Sequence, residues 1–162
     1  MKTRTTLAAI VSFVAGLAIA YAADKPNPNP NPMMGTWKLN DAKSKFEAGA
    51  TKNHTVVYAP QGDSMKITVD GTTKDGKAVH NDWIGKVDGK DYPVTGDNSV
   101  IDARSYTKVD DNTLNMTLKK AGKVVGTGTV KVSPDGKSRT VETKASEAKN
   151  AALNGTAVYD KQ

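Results

Sequence analysis

Cysteine is absent from all 162 residues. That excludes a disulfide framework, a thiolate metal site, a cysteine nucleophile and a lipid-modified N-terminal cysteine. Aromatic residues make up only 6% of the chain, and no long hydrophobic run follows the N-terminal one, so no later segment reaches the roughly 20 apolar residues a membrane-spanning helix needs. Arginine is nearly missing: after residue 22 it occurs only at Arg104 and Arg139, and the lysines are scattered, with only Lys119 and Lys120 adjacent. Nucleic-acid binders gather arginine forks and aromatic stacking platforms into patches, so no nucleic-acid partner is expected. No Gly-x-Ser-x-Gly elbow, His-Glu-x-x-His helix, P-loop or dinucleotide fingerprint is present. The Asp-rich turns lack the spacing of an EF-hand loop. These absences point away from catalysis and away from a metal or cofactor.

What is present begins with an export signal. Met1 to Ala22 carries Lys2 and Arg4, an apolar stretch from Leu7 to Ala20, and a closing Ala20-Tyr21-Ala22. This is the layout of a signal peptide with an A-x-A cleavage site. Cleavage would lower the formal charge of +6 by two, and the expected location is secreted or periplasmic, with no stable membrane insertion afterwards. Residues 23–33 follow as a linker in which Pro26, Pro28, Pro30 and Pro32 alternate with asparagine. Proline fixes φ and disfavours helix before it, so this stretch is an extended, semi-rigid spacer. Residues 34–162 are of single-domain size, and a monomer is expected.

Along that domain, short segments alternate apolar and polar residues. In Met65-Lys66-Ile67-Thr68-Val69-Asp70 and in Leu114-Asn115-Met116-Thr117-Leu118-Lys119 every second side chain is apolar, the mark of a half-buried strand. The tripeptide Asp-Gly-Lys recurs at 75–77, 88–90 and 135–137, and Ala121-Gly122-Lys123 resembles it. Glycine tolerates the positive φ of tight hairpin turns, so consecutive strands become antiparallel neighbours. The pattern predicts ten strands, near 35–39, 53–59, 64–70, 77–87, 90–94, 99–109, 113–120, 123–132, 138–144 and 154–160. A meander of that size buries its unpaired edges by closing. The predicted fold is all-β, an antiparallel up-and-down β-barrel of about eight to ten strands. Residues 145–153, rich in alanine, are expected as a long hairpin loop with at most a helical turn.

Gly35-Thr36-Trp37 opens the domain and Ala157-Val158-Tyr159-Asp160-Lys161 closes it. These motifs, with Lys43-Ser44-Lys45-Phe46 and Asp88-Gly89-Lys90-Asp91-Tyr92-Pro93-Val94, resemble the calycin superfamily of lipocalins and fatty-acid-binding proteins. The likeness is greatest to small secreted bacterial lipocalin-like proteins. It implies structural roles for Gly35 and Trp37, the tryptophan packing across the closed end of the barrel. Fatty-acid-binding proteins present an Arg-x-Tyr pair on the last strand; here Tyr159 matches, but Ala157 stands in the arginine position. They also carry a two-helix lid after the first strand, whereas Asn40 to Lys52 suffices for one helical turn and a loop.

A barrel of this size either encloses one small ligand or fills its interior with side chains. Trp83 shares a strand face with Val79 and Asn81, and Tyr106 shares one with Arg104 and Asp102. If both faces point inward, the interior mixes aromatic and polar groups as a ligand pocket does. Trp83, Arg104 and Tyr106 are therefore candidate ligand-binding residues, and the resemblance implies Tyr159 as a fourth. Arg104 lies mid-strand and is the better candidate for an anionic ligand, while Arg139, beside a turn, is expected at the surface. His80 has Asp82 on its strand face, but Lys86 continues that face, and one His with one Asp makes a poor metal set. The leading expectation is a non-catalytic binding protein for a small apolar or amphipathic molecule. Two readings compete with it: a filled barrel acting through its outer surface as an envelope interaction or stress module, and a small-barrel haem protein or enzyme using His80 or His54.

Overall fold

The computed structural model describes residues 31–97 and 100–162; the expected signal peptide, residues 1–22, and most of the expected linker, residues 23–33, lie outside them. Eleven strands form one antiparallel sheet: β1 (Gly35–Leu39), β2 (Lys45–Phe46), β3 (Lys52–Gln61), β4 (Ser64–Thr72), β5 (Ala78–Gly85), β6 (Tyr92–Gly96), β7 (Ala103–Asp110), β8 (Thr113–Lys120), β9 (Lys123–Val132), β10 (Ser138–Ala145) and β11 (Gly155–Lys161). Their order is β1-β3-β4-β5-β6-β7-β8-β9-β10-β11, and β11 returns to β1 through Trp37↔Lys161, Lys38↔Asp160 and Leu39↔Tyr159. The result is a closed ten-stranded antiparallel barrel. The short β2 lies outside the ten, pairing only Lys45 and Phe46 with Thr156 and Gly155 of β11.

Alternation does what the sequence predicts. On β4, Met65, Ile67 and Val69 are buried, and on β8 so are Leu114, Met116 and Leu118; the polar residues between them face out. The register carries the inward face from strand to strand, as in Ile67↔Trp83 and Val69↔Asn81. The Asp-Gly turns have the required backbone, with φ of +79° at Gly76, +79° at Gly89 and +69° at Gly136. The turn between β8 and β9 places both Ala121 (+49°) and Gly122 (+75°) at positive φ, the conformation of a primed hairpin turn.

Several boundaries differ from expectation. The predicted strand 77–87 shortens to β5 and the predicted 90–94 shifts two residues on to β6, because Asp88 leaves the hairpin to bridge Thr107 and its carboxylate accepts bonds from Lys90 N and the Tyr92 hydroxyl. The strand predicted from 99 begins only at Ala103. Met33, read as the last residue of the linker, belongs to the core: it is buried, and its carbonyl accepts the Trp37 indole N–H at 3.0 Å. Residues 148–153 form a short 3-10 helix in the expected loop, and Asp41–Lys43 forms another, capped by the Asn40 side chain.

The two ends of the barrel differ. Met33, the turns after β3, β5, β7 and β9, and the C-terminus gather at the closed end, where Trp37 is fully buried. Gly35 sits there at φ +117°, where a Cβ would lie 2.9 Å from the Lys161 side chain, whose ammonium rests 5.0 Å over the Trp37 ring. The opposite end carries the 3-10 helices and the longer loops, and it is open.

Candidate functional site: the barrel interior

A cavity of about 650 Å³ occupies the interior and opens at that end, well within the range of small-molecule sites. Its wall is built by the inward residues of successive strands, among them Val56, Ile67, Val69, Leu118, Val125 and Val141. At its mouth Val100 and Val124 are exposed apolar residues, and Leu153 is half-buried. A bulge helps to shape this rim. Between the pairs Leu118↔Gly126 and Lys119↔Val124 one extra residue, Val125, enters β9, so that Lys123, Val124 and Val125 all line the opening. Accessible surface concentrates at the mouth, and the cavity tightens downward until Ile67, Tyr106 and Tyr159 are almost sealed.

Charged and polar residues, among them Asp97, Lys120, Lys123, Glu147 and Lys149, ring the mouth, and two arginines lie deep. Arg104, on β7, lines the cavity with 8% of its surface exposed. Its Nη1 donates to the Tyr106 hydroxyl at a long 3.4 Å and its Nε has no partner. Arg139, on β10, lies lower, with 1% exposed. The sequence-based expectation that it faces solvent is wrong. The register sets it beside Val132 and Tyr159, both inward, and alternation sends it inward with them. Its guanidinium lies 4.9 Å from the Trp37 ring centre, 4.8 Å from that of Tyr58 and 4.6 Å from that of Tyr159. Three ring faces thus offer it cation–π stabilisation, while its Nε and Nη1 find no hydrogen-bond partner.

Tyr58 and Tyr159, whose rings flank Arg139, hold their protons more tightly than a free tyrosine. Burial pushes the Tyr159 hydroxyl up to about 12, against the downward pull of Arg139 and Arg104. Burial, reinforced by Tyr106, raises Tyr58 further still. Neither of these two therefore supplies a phenolate to balance the arginines at neutral pH. The two carboxylates that line the cavity are engaged at its rim: Glu147 pairs with Lys149 at 2.7 Å, and Asp97 accepts the His80 backbone N–H at 2.9 Å. Asn81 adds one more unsatisfied buried atom, its Oδ1.

Of the four candidate residues, Arg104, Tyr106 and Tyr159 line this cavity and Trp83 does not. The Trp83 face points inward as expected, since Val79 and Asn81 line the wall, but its ring is part of the packed core. It meets Tyr106 edge-on at 5.0 Å and Tyr92 at 5.8 Å, and its indole N–H donates to the Arg104 carbonyl at 2.9 Å. Gly85 makes room for this packing, because a Cβ there would come within 2.6 Å of the Trp83 ring. Asp102 does not pair with Arg104; it accepts the Ala121 N–H at 2.9 Å and lies 3.9 Å from Lys120. Sequence reasoning missed Tyr58, whose signal was its position two residues after Val56 on one strand face.

The histidines stand apart. His54 bonds Thr72 and is exposed. His80 lies on the outer face with its ring 2.6 Å from Asp70 and 3.7 Å from Asp82, and the Asp70 bond raises its proton affinity. Among the described residues no group of three or more His, Asp or Glu is placed to hold a metal ion.

No family model and no curated protein matches this sequence. Solved structures similar to it include a redesigned β-barrel, mFAP1, bound to DFHBI, with a TM-score of 0.46 and 16% identity over 80% of this chain and 95% of that one. Another is EF1p2_mFAP2b bound to DFHBI, with a TM-score of 0.41 and 15% identity over 81% of this chain and 94% of that one.

Proposed function

We propose that the protein is an exported, non-catalytic binding protein that carries one small amphipathic molecule inside its barrel. The observation that carries this reading is the preformed cavity of about 650 Å³, apolar along its walls and polar near its base. Burying a ligand's apolar surface there supplies roughly 25 cal/mol per Å² before the costs of association. Export is supported by the signal-like residues 1–22. The cavity also favours this reading over a filled barrel acting through its outer surface.

The test is an amide and methyl NMR titration with a neutral apolar probe, decanol. Saturable shifts confined to Val69, Leu118, Val125, Val141 and their neighbours are expected. Shifts spread over the outer faces, or none at millimolar probe, would refute an internal site.

A further inference from the structure

The connection between β10 and β11 at the mouth is latched by one asparagine side chain. Asn154 ends the 3-10 helix Ala148–Leu153 with φ −67° and ψ 135°. Its Oδ1 accepts the Ala145 N–H at 2.7 Å, tying the end of β10 to the start of β11. Gly155, next in the chain, pairs with Phe46 on one side and Thr143 on the other. A Cβ there would lie 2.8 Å from the Lys45 carbonyl oxygen, so only glycine lets β2 lie against β11. Packing thereby fixes an Asn-Gly pair at the rim, and the sequence contains no other. The pair matters chemically, because the backbone nitrogen that follows an asparagine can attack the side-chain amide, and glycine has no side chain to obstruct it. Asn27, Asn29 and Asn31 precede prolines, which have no N–H. Every other asparagine precedes a residue with a side chain.

We propose that Asn154 is a site of spontaneous covalent modification whose isoaspartate product unlatches the mouth. The Gly155 nitrogen bonds to Asn154 Cγ while the bond from Cγ to the side-chain nitrogen breaks. That nitrogen takes the Gly155 proton and leaves as ammonia. Water then opens the resulting five-membered succinimide at one carbonyl or the other, giving aspartate or isoaspartate with no oxidant or reductant involved. In the closed mouth the reaction is held back: Oδ1 is engaged by Ala145, and the extended ψ turns the Gly155 nitrogen away from Cγ. It proceeds when the loop opens, and the loop is weakly held, since the 3-10 helix buries none of its residues and segments with few buried contacts open at low free energy. Aspartate keeps an acceptor for the Ala145 N–H. Isoaspartate instead adds a methylene to the backbone, so Gly155 and Thr156 lose register with Thr143 and Glu142 on β10 and with Phe46 and Lys45 on β2.

The experiment ages the native protein at mildly alkaline pH, beside the same chain unfolded in urea, and maps aspartate and isoaspartate by peptide mass spectrometry. Asn154 should convert ahead of every other asparagine, and about tenfold or more slowly in the native protein than in the unfolded chain, because the loop is closed most of the time. Asn154→Gln, which can close only a less favourable six-membered ring, should accumulate no product at that position. Amide exchange followed by NMR should show the Ala145 N–H protected in fresh protein and in Asn154→Asp, and unprotected in the isoaspartate fraction. Another asparagine converting first, or none converting at 154 in the native protein while the unfolded chain reacts, would overturn the site. Equal rates in the two states would overturn the gating by loop closure. An isoaspartate fraction that keeps Ala145 protected would overturn the latch.

Discussion

Truncating Trp83 to alanine separates packed core from ligand wall. The ring is fully buried, meets two aromatic edges and satisfies the Arg104 carbonyl. Removing about 150–250 Å² of buried surface at ~25 cal/mol per Å² costs about 4–6 kcal/mol. This is close to the ~3–5 kcal/mol of buried aromatic truncations once about 1 kcal/mol for each lost edge-to-face pair is added. Leu118 is equally buried but lines the cavity; its truncation enlarges a space that already exists, so the loss falls at the lower end of the leucine series, about 2 kcal/mol. In urea, with a slope of about 2 kcal/mol per M, Trp83→Ala should lower the unfolding midpoint by about 2–3 M and Leu118→Ala by about 1 M. Conversely, Leu118→Ala should weaken a bound probe directly, whereas Trp83→Ala should act through folding. Similar midpoints for the two variants, or a Trp83→Ala loss below about 2 kcal/mol, would refute the division into packed base and open wall.

Ala121 holds a left-handed φ of +49° that its Cβ resists; Ala121→Asn should stabilise by on the order of 0.5–1 kcal/mol and raise Tm by about 2–4 °C, and a lower Tm would contradict the turn geometry. The His80 ring, hydrogen-bonded first to Asp70, should titrate above the usual histidine value by NMR, and Asp70→Asn should lower that midpoint. Because the folded-state value is raised, the stability this contact contributes is fully present below the unfolded-state value and is lost as pH rises through the folded one. An unmoved midpoint in Asp70→Asn would refute the contact.

The fold was legible because its two determinants are local. Period-two alternation marks β4 and β8 without reference to anything distant, and Asp-Gly turns force neighbouring strands antiparallel. Closure followed from the cost of open edges, and the β1–β11 pairing supplies it. The candidate site was legible only in part, because its composition depends on register across strands. Arg104 and Tyr106 are legible from their strand face, and Tyr159 from the likeness of the last strand to a known motif. Arg139 was misplaced because its chain neighbours, Ser138 and a turn, resemble a surface segment, and only pairing with Val132 and Tyr159 turns it inward. Trp83 was assigned to the right face, but depth along the barrel is not encoded in alternation. The Val125 bulge and the two-residue β2 leave no periodic trace at all.

The central claim is that this barrel is built to be occupied from within. Native mass spectrometry of the protein purified without detergent from the cells that make it tests that most directly. A reproducible extra mass, released on unfolding, is the predicted result. A clean apoprotein mass that stays unshifted across a panel of amphipathic acids and their neutral counterparts would contradict it.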